Sequence, residues 1–371
     1  MKFGYFSQLQ SPKPWRENEE VLLYKEAMEQ AVYAEAVGFD YYWQTEHHFY
    51  TEIGHSSVPE LFLAALAQRT TKIRLGPAVV VLPCNHPYRV VEYISTLDIL
   101  SDGRVEFGTG RGASAYHIEA FGVSPDDSKE IWEESLEVIC SMFVNDPFPG
   151  WQGKWHPNLL ERSLVPKPVQ KPHPPLWVAA TQPSTYAEAA RKGLGILGFN
   201  ATEPDEIVPC IRAYREAMAG CEPVGGYPNH QVACFTICNI DADYTVGRDK
   251  ACAAARWYAG DNDAPLQQVR FSSLTGEYYK EKAAEGRRPG VRESILRRDN
   301  EELIRDGLVI GGDADSVCRG IERWADLGLD QLMFMIQAGN TPHADILRAL
   351  DMVGSKVLPN FKESNTVASG A

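Results

Sequence analysis

The sequence predicts an α/β fold of the (β/α)8 class, a single barrel domain over residues 1–360 with insertions after strands 4 and 7. Eight short apolar runs alternate with amphipathic stretches of helical period, and right-handed crossovers between parallel strands close such an alternation into a ring. At 371 residues and 44% hydrophobic content, the chain exceeds the usual single-domain size unless it is a barrel of about 250 residues carrying insertions. Chemistry-bearing residues also gather directly behind apolar runs, above all Glu46-His47-His48, and α/β folds hold their sites at the carboxyl ends of strands.

In chain order, Lys2 to Phe6 reads as the first strand. Leu22-Leu23, Ala27-Met28, Ala31-Val32 and Ala34 form a helical stripe stopped by Gly38, and Phe39 to Trp43 is the second strand. Pro59 opens a helix through Leu61, Phe62, Ala65 and Leu66, and Ile73 to Leu82 is a strand buried on both faces. Pro87 opens another helix with Val90, Val91, Ile94 and Leu97 inward, and Gly103 to Gly108 is the fourth strand. A helix around Ile131 to Phe143 precedes the Pro/Trp/Gly-rich segment 147–175, about 28 residues long and suited to a functional insertion with a short hairpin. Leu176 to Ala180, Gly195 to Phe199 and Val232 to Ile240 are strands five to seven. The polar segment 265–305 reads either as a mobile lid or as an ordered helical excursion. The helix Ser316 to Leu327, the strand Gln331 to Ile336 and the helix Pro342 to Leu358 complete the barrel, and 361–371 has the composition of a flexible tail.

A formal net charge of -14 excludes a general nucleic-acid binder, because phosphate binding needs clustered Lys and Arg. The eight cysteines form no C-x-x-C pair and read as reduced core residues, with Cys234 and Cys238 on one face of their strand. The chain begins directly with a strand and has no apolar run near the ~20 residues that span a bilayer, which predicts a cytoplasmic protein without a membrane partner.

Three constellations could carry chemistry. Glu46, His47 and His48 follow the second strand; adjacent imidazoles point apart unless the chain turns, so a metal role is disfavoured against a structural pair or a proton-handling, ligand-contacting one. Gly108-Thr109-Gly110-Arg111-Gly112-Ala113 matches G-x-G-x-x-A, but a dinucleotide fold requires this in its first βα turn with an acid about 20 residues later, at the end of the next strand. Glu130, Glu133 and Glu134 lie on an amphipathic helix instead, leaving either a close backbone approach to a ligand with Arg111 as a fixed cation, or a structural turn. Thr181, Gln182, Ser184 and Thr185 open a helix, with Thr185 and Glu188 at capping-box spacing, and could form an anion site beside Arg111. Gly76 to Pro83, small in its middle, offers an apolar wall.

Taken together, Met1-Lys2-Phe3-Gly4, Gly38-Phe39-Asp40, Glu46-His47-His48-Phe49, Val81-Leu82-Pro83 with His86-Pro87, Leu97-Asp98, Gly103-Arg104, Phe107-Gly108 and Arg111-Gly112 resemble the bacterial luciferase family of flavin-dependent monooxygenases, as does Val357-Leu358-Pro359 more weakly. The resemblance implies a TIM barrel binding FMN as FMNH2 from a separate flavin reductase, with O2 adding at the flavin C4a to give a hydroperoxyflavin that oxygenates a small organic substrate, and the Trp/Tyr supply, including Tyr42, Trp43, Trp151 and Trp155, would permit an apolar or aromatic one. It places catalysis on His47 with His48 and Glu46, the flavin phosphate at Arg111 and at Thr181, Gln182, Ser184 and Thr185, and a non-proline cis peptide at Ala78-Val79 under the flavin ring. It implies a homodimer or heterodimer, and the residues themselves offer no further Asp or Cys cluster to complete a metal set. Gly110 stands where the luciferase catalytic subunit has a reactive cysteine, and Thr181-Gln182 where its phosphate loop begins Glu-Ser, which points away from light emission. The alternatives are a deazaflavin (F420)-dependent oxidoreductase on the same barrel and a noncatalytic flavin-binding subunit.

Overall fold

The computed structural model describes residues 1–112, 115–198, 203–260 and 291–362. Its sheet has ten strands, all paired in parallel: β1 (Lys2–Ser7), β2 (Tyr41–Gln44), β3 (Arg74–Pro77), β4 (Val80–Val81), β5 (Phe107–Gly110), β6 (Leu176–Ala180), β7 (Gly195–Gly198), β8 (Val232–Ile240), β9 (Val309–Gly312) and β10 (Gln331–Met335). The order is β3-β2-β1-β10-β8-β7-β6-β5-β4. β3 and β4 are one stave interrupted at Ala78-Val79; β4 pairs with β5, and Leu75 of β3 bridges Val105 just ahead of β5, which brings the two ends of the sheet together. The eight staves are the eight strands read from the sequence. β9 is additional and lies along the carboxyl half of β8, from Ile237↔Val309 to Ile240↔Gly312.

Alternation along the strands separates two cores. Phe3, Tyr5, Tyr42, Leu75 and Phe107 face the outer helices, whereas Phe6, Trp43, Trp177, Phe235 and Met333 fill the barrel interior. The amino-terminal end of the barrel is sealed by large side chains, and the indole N-H groups among them are hydrogen-bonded. Trp43 Nε1 donates to Gln331 Oε1 at 3.0 Å, and Trp177 Nε1 donates to Glu106 Oε2 at 2.5 Å. Glu106 in turn pairs with Arg74. Trp43 lies where Gly76 has no side chain: a Cβ there would come within 2.2 Å of the indole. A buried carboxylate stripped of such partners costs several kcal/mol, so this end is a closed plug. The opposite end is open, and Ala179, next to last in β6, is solvent-exposed although its neighbours on the strand are buried.

The helices confirm the pattern with local differences. The helix Pro59–Ala67 buries Phe62, Leu63 and Leu66, and leaves Leu61 68% exposed. The segment after residue 147 contains antiparallel bridges at Phe148↔Arg162 and Trp151↔Leu159, the short hairpin expected there. Of the stretch read as a lid, 265–290 lies outside the described residues, and the remainder forms the helices Val291–Arg297 and Asn300–Arg305. Phe361, read as the start of a tail, lies in the last described helix, Leu358–Lys362, and packs edge-on against Phe3; 363–371, the rest of the stretch read as a tail, lies outside the described residues. All eight cysteines are free thiols, and Cys234 and Cys238 share the outer core. No described helix is long and apolar enough to cross a membrane.

Candidate active site

Every residue singled out in the sequence follows a strand on the open face. β2 delivers Glu46, His47 and His48; the β3–β4 break delivers Ala78 and Val79; β5 delivers Gly110 and Arg111; and β6 delivers Thr181 to Thr185. Because β4, β5 and β6 are neighbours, Val79, Gly110 and Ala179 meet: a Cβ on Gly110 would lie 2.5 Å from Val79 Cγ2 and 3.9 Å from Ala179 Cβ. The result is a floor of small side chains beneath the open end. The Ala78-Val79 peptide is cis, as expected from the resemblance.

The two arginines at the ends of β5 differ in their partners. Arg104, ahead of the strand, is 8% exposed and donates to Ser101 O, Ala67 O, Thr70 O, Ile73 O and Thr70 Oγ1. Arg111, behind it, is half-buried, and no described residue accepts a hydrogen bond from it or pairs with it. Burial pulls its guanidinium below the usual arginine range, with no carboxylate among the described residues to counter it. A cation left in this state is a site for an anion, since charge-assisted bonds to phosphate are among the strongest a guanidinium makes.

Beyond β6, the helix Pro183–Arg191 starts three residues earlier than the capping-box reading supposes. Gln182 is its N-cap without a side-chain bond, Thr185 is already helical, and Glu188 instead accepts from Lys129 at 3.0 Å. The capping box is therefore absent, while the uncapped first turn keeps its N-H groups toward the end of β6, adjacent to β5 and Arg111.

His47 and His48 part company. His47 N donates to Ser56 O at 2.7 Å and its ring lies 5.5 Å from that of Tyr50. His48 Nε2 lies 3.1 Å from Glu46 Oε1, with its ring 4.6 Å from His117. Glu46 is fixed further by the Val81 N-H at 2.9 Å and by Asn85 Nδ2 at 3.3 Å. Burial, then His48, pushes the His117 imidazole down to about 4. Phe49 has φ of 66°, in the left-handed region that a large side chain rarely adopts, and with Tyr116 and Phe121 it forms an exposed aromatic rim around His48. His117, Tyr116 and Phe121 escaped the sequence reading, since a helix of five residues, Ala115–Glu119, carries no periodic signal.

The family model described as luciferase-like monooxygenase matches residues 1–331. The chain belongs to this family. Among its relatives, the oxygenase component of the flavin-dependent trigonelline monooxygenase of Acinetobacter baylyi is 24% identical over 356 residues, covering 92% of this chain and 91% of that protein. Two solved structures share the fold. The oxygenating constituent of 3,6-diketocamphane monooxygenase from Pseudomonas putida, a type II Baeyer-Villiger enzyme in complex with FMN, superposes with a TM-score of 0.76 at 18% identity, over 97% of this chain and 98% of that one. The coenzyme F420-dependent tetrahydromethanopterin reductase of Methanopyrus kandleri superposes with a TM-score of 0.68 at 21% identity, over 97% and 99%. The barrel fold is thus shared by an FMN-bound monooxygenase and an F420-dependent reductase.

Proposed function

We propose that this luciferase-like protein is the oxygenase component of a two-component monooxygenase, using FMNH2 from a separate flavin reductase and O2 to oxygenate a small apolar or aromatic substrate. The observation that carries the reading is Arg111, a half-buried cation without a partner among the described residues at the end of β5, one residue from the small floor of Val79, Gly110 and Ala179. These residues fit FMN. Arg111 and the uncapped first turn after Gln182, with Thr181, Ser184 and Thr185, would hold the phosphate, while the floor would accept the flat ring. When bound, the flavin supplies the activation of oxygen.

The chain's own tasks are positioning, exclusion of water and proton handling. His47, set against Tyr50 and outside the Glu46–His48 contact, is the proton-handling group in this reading, work that imidazoles commonly do near neutrality. Glu46 and His48 position the loop by their bonds to Val81, Asn85 and each other. The rim of Phe49, Tyr116 and Phe121 supports the substrate class, since exposed aromatic surface beside a site favours an apolar or aromatic guest.

The likeness to the F420-dependent reductase motivates a second reading, hydride transfer from reduced F420 without oxygen. An anaerobic titration with reduced FMN and, separately, reduced F420 distinguishes the two. The proposal expects FMNH2 to bind at least about tenfold more tightly, a difference of about 1.4 kcal/mol. The reverse preference would install the deazaflavin reading.

A further inference from the structure

Glu46, His48 and His117 bring a carboxylate and two imidazoles together, with one donor atom from each lying within 4.8 Å of the other two. Glu46 Oε1 and His48 Nε2 are 3.1 Å apart. His117 is 2% exposed, and its Nε2 is buried without a hydrogen-bond partner. A buried imidazole nitrogen with nothing to bond is uncommon, because leaving such a group unmade costs about 1–3 kcal/mol.

The charge balance points the same way. The Glu46 side chain is only 8% exposed, and among the described residues neither Lys nor Arg forms an ion pair with it. Its bonds to the Val81 N-H and the Asn85 amide orient the carboxylate without neutralising it. Outer bonds of this kind are what fix the ligands of a metal centre. Two imidazoles and one carboxylate select a first-row divalent transition metal over calcium or magnesium, which prefer oxygen donors throughout.

We propose that Glu46, His48 and His117 form a divalent transition-metal site that clamps the helix Ala115–Glu119 onto the end of β2. Donors bound at about 2.0–2.2 Å in a tetrahedron lie about 3.3–3.5 Å apart, so donors within 4.8 Å of one another need close by no more than about 1.5 Å. Glu46 and His48 already meet that spacing, and the closing element is a five-residue helix carrying only His117. Water or a small anion completes the coordination. His47 and Arg111 contribute nothing to this site, so it stands whether or not the barrel uses FMN.

The test uses full-length, tag-free, chelator-stripped protein titrated with Co2+ and then Zn2+. The proposal expects visible ligand-field absorption saturating at one equivalent of Co2+, its displacement by Zn2+, and a Zn2+-dependent rise in Tm. His117→Phe, which keeps an aromatic ring against Phe121, should weaken Co2+ binding more than about 100-fold, since even outer partners of a ligand are worth about 10–100-fold. Glu46→Gln should act likewise, and His343→Asn, at an outer His–Glu contact with Glu29, should change nothing. If Glu46→Gln does not fold, His117→Phe decides alone. No saturable Co2+ spectrum, or a spectrum unchanged in His117→Phe, overturns the site and leaves a hydrogen-bonded histidine cluster.

Discussion

Val79 occupies the space that a side chain on Gly110 would need: a Cβ at Gly110 would lie 2.5 Å from Val79 Cγ2. Two adjacent staves thus meet through an absent side chain, and the floor of the open end depends on it. Gly110→Ala should shift Val79 and lower FMNH2 affinity about tenfold or more, since overpacking of this kind costs about 1–3 kcal/mol. Val79→Ala should restore most of the loss in the double mutant, and titration of the four proteins measures the coupling. Equal affinity in Gly110→Ala and wild type would remove this contact from the binding floor.

Arg111 should be an affinity residue. Arg111→Ala is expected to weaken FMNH2 binding about 10- to 100-fold, the worth of one or two charge-assisted hydrogen bonds, with little change in Tm because no described residue loses a partner. Arg104→Ala should do the opposite, lowering Tm by stranding the carbonyls of Ala67, Thr70, Ile73 and Ser101. Melting curves beside binding isotherms separate the two.

His47→Ala should lower turnover about 100-fold while leaving FMNH2 affinity within a few-fold, as expected for loss of general acid or base help. Steady-state rates with a supplied reductase, paired with anaerobic binding, read both quantities. Lost binding with an unaltered rate at saturation would make His47 a ligand contact instead.

Stability should decline on the acid side through His117. Its folded-state pKa of about 4 lies below the unfolded value of about 6.5. The unfolded chain therefore takes up a proton between those values that the folded one refuses, and metal-free stability falls as pH drops from about 6.5 to 4, by at most about 3 kcal/mol. Above 6.5 the group contributes no pH dependence. Denaturant midpoints across this range should flatten in His117→Phe.

Much of the barrel was legible because its staves are apolar on both faces, and such runs stand out in any sequence; Tyr41 to Gln44 and Val232 to Ile240 are buried throughout. The break in the third stave was not legible from pattern alone, since Ile73 to Leu82 reads as one continuous strand, and only the resemblance located Ala78-Val79. β9 escaped because four residues ending in Gly311-Gly312 show neither alternation nor length. The contrast between Arg104 and Arg111 is tertiary: both are arginines beside glycines, and only the carbonyls around one of them decide which is structural. His117 is the same lesson at the candidate site, as nothing near it in sequence announces Glu46 and His48.

The central claim is tested most directly by mixing the protein anaerobically with reduced FMN, adding O2, and following flavin absorbance. The account predicts reoxidation clearly slower than that of free flavin, through a phase that free flavin lacks and that disappears in Arg111→Ala at matched flavin concentration. Reoxidation indistinguishable from free FMNH2, with protein in large excess, would contradict an oxygenase and leave a deazaflavin enzyme or a noncatalytic flavin-binding subunit.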